Sequence, residues 1–284
     1  MKIKVSEKFL ALQAEARFTG VPSVFLRTFG CNFRCKNFGR SVVPYNETMN
    51  PEVEMVFKNI EKYKKFEDLP LLKTGCDTYS SVYSEFKKFA TQSTVEELNQ
   101  KMIELLPNKK WNKVHLVITG GEPLLGWQKV YSKLLSNSLM RDLTNLTFET
   151  NGTQLLTNEF SEYLKIHWRK GWDCLTFSVS PKLSNSGEKW SDAIKPNVIA
   201  QYEEHGHTYL KVVVDSEEDL VDVKRAEEEY RAVGFKGDVY LMPCGGTEKL
   251  YSQNNTKVAL LALKYGYRYS DRLQIPLFKN AWGT

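Results

Sequence analysis

Apolar residues along this chain gather in short runs, too brief for helices and rich in β-branched and aromatic side chains, and between the runs they spread out to a helical spacing. Six runs read as buried strands: Ser23–Phe29, Lys113–Thr119, Leu146–Thr150, Cys174–Ser180, Tyr209–Asp215 and Asp238–Met242. Helical patterns fall at Thr94–Leu106, behind a Ser-Thr start, and at Gly126–Leu139, Thr157–Trp168, Ser216–Ala232 and Asn255–Tyr265. This alternation predicts parallel strands joined by crossover helices. Four strands end directly in polar or Gly-rich turns: Thr119-Gly120-Gly121-Glu122-Pro123, Glu149-Thr150-Asn151-Gly152-Thr153, Ser178-Val179-Ser180-Pro181-Lys182 and Met242-Pro243-Cys244-Gly245-Gly246. In a parallel barrel such ends converge on one mouth. The expected fold is therefore α/β, a partial (βα)6 TIM-like barrel. The rhythm breaks between Phe38 and Gly75, where the charged stretch Pro51–Lys73 holds a short helical pattern, Val53–Phe66, and the loop Asp68-Leu69-Pro70. The expected organisation is one domain over residues 1–284, with residues 36–75 inserted in the loop after the first strand.

Composition narrows the function classes. Of 284 residues, 42% are apolar and 12% aromatic, enough for a substantial core. Lys and Arg number 39 against 34 Asp and Glu, and the net charge of +5 is spread without a basic block, so nucleic acid is not expected as a direct ligand. The longest apolar runs, such as Val258–Leu263, fall far short of the roughly 20 residues of a membrane span. Met1-Lys2-Ile3-Lys4-Val5 has no apolar stretch behind its charges, so no secretory signal is read and the expected compartment is the cytoplasm. Five cysteines in such a chain favour metal binding or catalysis over a disulfide framework.

Two of them follow the first strand as Gly30-Cys31-Asn32-Phe33-Arg34-Cys35, a spacing that can put two thiolates on one inorganic cluster, although two buried apolar thiols would read the same way. After the second strand, Gly120-Gly121-Glu122-Pro123 lets backbone approach a ligand closely and offers a carboxylate to an ammonium group. Cys174, which opens a strand, and Cys244, in a turn, are read as structural.

These features resemble the radical S-adenosylmethionine superfamily, whose members bind a [4Fe-4S] cluster through CxxxCxxC and hold the cofactor's methionine on a Gly-Gly-Glu-Pro turn. The third cysteine of that pattern is replaced by Phe38. The chain is more closely similar to the 7-carboxy-7-deazaguanine synthases, through Leu12-Gln13-Ala14-Glu15-Ala16, Gly20-Val21-Pro22, Phe25-Leu26-Arg27, Gly30-Cys31-Asn32, Cys76-Asp77-Thr78, Ser180-Pro181-Lys182, Leu210-Lys211-Val212-Val213-Val214 and Leu241-Met242-Pro243. Ala14 and Ala16 stand where that family carries Gly, and Gln274 where many members carry His.

The resemblance implies that Cys31, Cys35 and Cys76 hold the cluster, with the insertion between the second and third ligands. A long loop is cheap to close, since each doubling in length costs only about 0.6 kcal/mol. It further implies that Gly75, Cys76, Asp77, Gly121, Ser180, Pro181 and Lys182 hold S-adenosylmethionine, with Glu122 facing its ammonium. Leu12, Gln13, Ala14, Arg27, Thr119 and the terminal carboxylate at Thr284 would hold a pterin, and Thr78 would ligate Mg²⁺. The implied reaction is a radical ring contraction of 6-carboxy-5,6,7,8-tetrahydropterin to 7-carboxy-7-deazaguanine with loss of ammonia. An electron donor of the flavodoxin or ferredoxin class and a homodimer are the partners expected. Two alternatives stay open at this point: a radical enzyme that activates a partner protein, with the insertion as docking surface, and a barrel that lost its cluster at Phe38.

Overall fold

The computed structural model describes residues 1–40, 47–168 and 174–284; residues 41–46 of the expected insertion lie outside the described part. Nine strands form a single sheet: β1 (Lys2–Leu12), β2 (Pro22–Thr28), β3 (Thr91–Thr94), β4 (His115–Gly120), β5 (Leu146–Thr150), β6 (Leu175–Val179), β7 (His207–Val214), β8 (Val239–Pro243) and β9 (Arg268–Tyr269). Their order is β3-β1-β2-β4-β5-β6-β7-β8-β9. From β2 to β9 all neighbours are parallel and follow chain order. A doubly wound sheet reverses its order at a switch point; here no reversal occurs, and the six expected strands make the parallel wall of an open barrel.

The helices are α1 (Pro51–Lys58), α2 (Val95–Leu105), α3 (Gln128–Leu135), α4 (Asn158–His167), α5 (Trp190–Ala193), α6 (Pro196–Glu203), α7 (Asp219–Arg231), α8 (Glu248–Tyr265) and α9 (Gln274–Phe278). Thr94 and Glu97 close a reciprocal capping box at the start of α2, where the Ser-Thr signal lies. Among the described residues no helix is long and apolar enough to cross a membrane.

Each parallel strand shows two chemically different faces. Val24 and Leu26, Leu116 and Ile118, Leu146 and Phe148, Phe177 and Val179, Leu210 and Val212 pack into the main hydrophobic core beneath the helices. The alternate positions Arg27, Thr119, Glu149, Ser178 and Lys211 line a cavity on the inner side. The period of two thus sorts packing from chemistry, strand by strand.

Several elements depart from expectation. β1 pairs antiparallel with β2 and was hidden in the sequence because a register shift between Val5 and Glu7 breaks its alternation. Ile3 and Val5 lie in the core, whereas Glu7 and Phe9, of the same parity, line the cavity. A bulge of this kind turns a strand's faces over. The helix expected over Val53–Phe66 ends at Lys58, helix α8 begins at Glu248 instead of Asn255, and α6 is additional.

The segment after Cys35 leaves the barrel and comes back to the same point. Gly75 N donates to Phe38 O at 2.8 Å. The buried Asn50, N-cap of α1, donates to Lys36 O at 3.0 Å on the way out and to Thr74 Oγ1 at 3.2 Å on the way back. Gly75 has φ +80°, and a Cβ there would stand 2.7 Å from Asn50 Nδ2, so glycine is required. Within the excursion, Val53, Val56, Phe66, Leu69 and Leu72 build a second small core with Tyr79, Val82, Tyr83 and Phe86. Trp282 completes it: its ring centroid lies 4.8 Å from that of Phe66, and its Nε1 donates to Leu69 O at 2.7 Å.

The C-terminal segment is thereby fastened to the excursion. Replacing Trp282 by Ala is expected to destabilise the fold by about 2 kcal/mol, below the ~3–5 kcal/mol of a fully buried aromatic because this ring is only half-buried. Urea unfolding of the two proteins checks this, and equal midpoints and slopes would show that the segment is not anchored there.

Candidate active site

A cavity of about 260 Å³ opens at the C-terminal ends of the parallel strands. Cys31, Cys35 and Cys76 all line it, although 45 and 41 residues separate the first two from the third, and all are free thiols. They meet in one apolar cluster with Phe33, Phe38 and the fully buried Ala193. Phe38, at the position where the short-spaced pattern wants a third cysteine, stands beside Cys76. The return of the excursion delivers Cys76, and Gly30 N donating to Ser81 O at 2.8 Å ties the following turn to the first cysteine's loop.

Beneath that loop lies the Gly-Gly turn after β4. Gly121 and Glu122 donate their backbone N–H groups to Thr28 O and Gly30 O, at 3.2 and 2.8 Å. A Cβ on Gly121 would come within 2.8 Å of the Cys31 Cβ, which is why the second glycine of the turn cannot carry a side chain. On the other side, Asn32 Nδ2 donates to Thr153 Oγ1 at 3.0 Å and Asn151 Nδ2 to Asn32 Oδ1 at 2.9 Å, so the turn after β5 holds the loop as well.

Burial pushes all three thiols up, Cys31 to about 12, while the Lys182 ammonium opposes burial at each of them. Lys182 Nζ donates to Ser180 Oγ at 2.9 Å and stands 6.0 Å from the Phe38 ring centroid. Without metal such thiols stay protonated, and a bound metal would displace their protons. Among the described residues no group of three or more His, Cys, Asp or Glu closes around a single ion. A cubane takes its thiolates on different irons, here three of the four with one left open, so its ligands surround it instead of meeting at a point. Three free thiols gathered in one apolar cluster fit an iron–sulfur cluster.

Sequence-expected residues divide as follows. Leu12, Gln13, Ala14, Arg27, Gly75, Asp77, Thr78, Thr119, Gly121, Ser180, Lys182 and Thr284 all line the same cavity. Pro181 is buried and does not. Glu122 requires a correction. Its carboxylate is wholly buried, lies outside the cavity lining, and accepts from Thr150 Oγ1 at 2.7 Å, Asn151 N at 2.7 Å and Leu124 N at 3.0 Å. With its oxygens occupied by protein donors, it binds two strand-end turns together and does not face a ligand's ammonium. Cys244 reaches the cavity wall but stands apart from the apolar cluster of the other three.

The same cavity carries a partly buried ion network that the sequence did not single out as a unit. Glu15 pairs with Lys211 and, at 3.3 Å, with Arg272; Arg272 pairs in turn with Asp77, and Lys211 lies 3.8 Å from Glu149. Burial alone raises the Glu15 carboxyl, but Lys211 and Arg272 outweigh it and hold it down to about 2. Gln13 Nε2 donates to Glu149 Oε1 at 3.2 Å, and its own Oε1 accepts from Ala14 N and Glu15 N. Arg27 Nε donates to Glu7 at 2.8 Å, leaving its terminal nitrogens without a protein acceptor among the described residues. Gln274 Nε2 donates to Glu15, whereas its buried Oε1 on the cavity wall has no partner. The one legible hint of this network is Lys211, a charge in the middle of an apolar strand.

No protein-family model matches the chain. Two curated proteins named 7-carboxy-7-deazaguanine synthase are each 28% identical to it: that of Rhodopirellula baltica over 99% of this chain and 88% of its own length, and that of Halobacterium salinarum over 98% and 91%. Over nearly its whole length the chain is similar to the 7-carboxy-7-deazaguanine synthases. The crystal structure of QueE from Escherichia coli shares the fold, with a TM-score of 0.53 over 95% of this chain and 93% of that one at 18% identity. The cofactors that this family implies are a [4Fe-4S] cluster and S-adenosylmethionine.

The Glu15 network gives the site a pH signature. A carboxyl held lower in the folded chain than in the unfolded one contributes stability that is complete above about pH 4.5 and fades as pH falls toward about 2. The stability gap between wild type and Glu15→Gln should therefore narrow across that window when unfolding is followed by fluorescence. A gap that stays constant would contradict the pairing.

Proposed function

We propose that this chain is a radical S-adenosylmethionine lyase that converts 6-carboxy-5,6,7,8-tetrahydropterin to 7-carboxy-7-deazaguanine with loss of ammonia. The observation that carries the reading is the meeting of Cys31, Cys35 and Cys76 on one apolar wall, at a cavity also lined by the Gly-Gly turn and the Ser180–Lys182 turn. The barrel-without-cluster alternative loses its motive here, because Cys76 stands beside Phe38.

When bound, the cluster and S-adenosylmethionine supply reductive cleavage to a 5′-deoxyadenosyl radical. The protein's share is binding, positioning and exclusion of water. Cys31, Cys35 and Cys76 hold the cluster; Phe33, Phe38 and Ala193 keep that wall dry. Gly75, Asp77, Gly121, Ser180 and Lys182 hold S-adenosylmethionine, where Gly121 leaves the space and Lys182 the positive charge. Leu12, Gln13, Ala14, Arg27, Thr119 and Thr284 hold the pterin. Arg27's free guanidinium end suits a substrate carboxylate, and Gln274 Oε1 offers an acceptor to a ring N–H. Ala14, where relatives carry Gly, narrows the pterin side by one methyl group. A one-electron donor of the flavodoxin or ferredoxin class and pairing into a homodimer complete the reading, with residues 36–75 as an insertion in the cluster loop.

Mass spectrometry of an anaerobic incubation with S-adenosylmethionine, dithionite and the carboxypterin tests the activity. Formation of 7-carboxy-7-deazaguanine with one ammonia per turnover is expected; full consumption of cofactor with the pterin unchanged would sink the substrate assignment. Ala at Cys31, Cys35 or Cys76 should each abolish iron retention and turnover, while Cys174→Ala and Cys244→Ala leave both near wild type. Retention by Cys76→Ala with loss in Cys244→Ala would reverse the ligand assignment.

The reading also includes Mg²⁺ on Thr78, whose Oγ1 lies on the cavity wall 3.4 Å from Cys76 Sγ. Mg²⁺ keeps several waters and accepts a sparse protein shell when substrate oxygens complete it. Thr78→Val is expected to raise the Mg²⁺ concentration for half-maximal turnover about tenfold. An unaltered requirement, or full turnover in excess chelator, would remove the metal from this residue or from the reaction.

A further inference from the structure

Cys35 occupies an unusual backbone position. Its φ is +48°, the left-handed region that non-glycine residues rarely adopt. Something outside the loop must hold it there. Glu188, 153 residues further along, accepts from both Arg34 N at 2.8 Å and Cys35 N at 2.7 Å through one carboxylate oxygen. These charge-assisted bonds are of the strong kind and occupy two N–H groups that the turned backbone aims away from its own chain.

Glu188 is itself fixed. Its N–H donates to Ser186 Oγ at 3.2 Å, Ser186 Oγ donates to Leu183 O at 2.6 Å, and Asn37 N donates to Ser186 O at 3.2 Å. The carboxylate therefore belongs to the loop that follows β6 and carries the Ser180–Lys182 turn. Among the described residues no Lys or Arg forms an ion pair with it. The neighbouring Arg34 turns elsewhere, with Nη1 donating to Val82 O at 3.2 Å and its guanidinium 4.9 Å from the Tyr83 ring centroid. An acidic side chain is thus held by N–H donors directly beside the second cysteine.

We propose that Glu188 is a positioning residue for the metal site: it locks the Arg34–Cys35 turn so that the Cys35 thiolate faces its iron, and it holds a negative charge beside that ligand. The role rests on the cluster reading above. Two consequences follow from it. Locking the turn slows loss of the cluster, because the backbone that carries Cys35 cannot move away without breaking two hydrogen bonds. The charge disfavours the reduced, more negative cluster and lowers its potential, since net charge nearby is one of the levers on iron–sulfur potentials.

The test compares wild type, Glu188→Ala and Glu188→Gln after anaerobic reconstitution. Two measurements are made: the rate of iron loss to a chelator, and the midpoint potential from a redox titration followed by EPR. Glu188→Ala is expected to lose iron at least tenfold faster. Glu188→Gln, which keeps an acceptor for the same N–H groups, should retain iron as wild type does yet shift its reduction equilibrium about tenfold, a rise of about 59 mV for a one-electron couple. A purely structural contact would leave that potential where it is. If Glu188→Ala fails to fold, the Glu188→Gln potential decides alone. A wild type that holds its cluster, with Glu188→Ala losing iron no faster than it or Glu188→Gln keeping its potential, overturns the positioning role and leaves the functional reading standing. A wild type that takes up no cluster overturns both.

Discussion

The closure of the excursion at Phe38 and Gly75 is the constraint on which the rest of the site depends. One backbone hydrogen bond between them and the two donations of Asn50 to Lys36 and Thr74 bring Cys76, 45 and 41 positions beyond Cys31 and Cys35, into one apolar cluster with them. Closing a long loop costs conformational entropy that grows only with the logarithm of its length. Here that cost is offset by a second small core built from the excursion's own apolar residues. The same core takes up Trp282, so the C-terminal wall of the cavity and the third cysteine are held by a single packing unit.

The two sides of the cavity solve opposite electrostatic problems. On the cysteine side, desolvation keeps three thiols neutral until a metal supplies positive charge, and Lys182 provides the one cation that all three feel. Elsewhere on the wall, two cations, Lys211 and Arg272, are shared among three carboxylates, Glu15, Asp77 and Glu149, in a chain of pairs. Isolated, the buried Lys211 and Arg272 would be costly; paired with these carboxylates they make a polar surface. A ligand with a charged end and a polar ring edge finds complementary groups on that surface without rearranging it.

Much of this was legible in the sequence where local chemistry and chain position agree. The six parallel strands announce themselves because their core faces are filled with β-branched and aromatic residues, and the strand-end turns because Gly, Pro and Asn accumulate there. β1 was not legible, since its bulge inverts which residues face the core, and α8 was masked in its first half by the polar stretch Ser252–Asn255. Site residues in motifs could be named, yet the motif did not say which way each side chain points: Glu122 sits in the expected turn but spends its carboxylate on Thr150, Asn151 and Leu124. Glu188 carries no signal in the sequence at all. Its contact with Cys35 exists only because the sheet brings the loops after β2 and β6 together.

EPR of the dithionite-reduced protein, recorded with and without S-adenosylmethionine, tests the arrangement of three thiolates and one open iron most directly. A reduced-cluster signal whose g-values shift when S-adenosylmethionine is added, and which Cys76→Ala lacks, is the predicted result. A cluster signal indifferent to S-adenosylmethionine, or one that survives unchanged without Cys76, would contradict it.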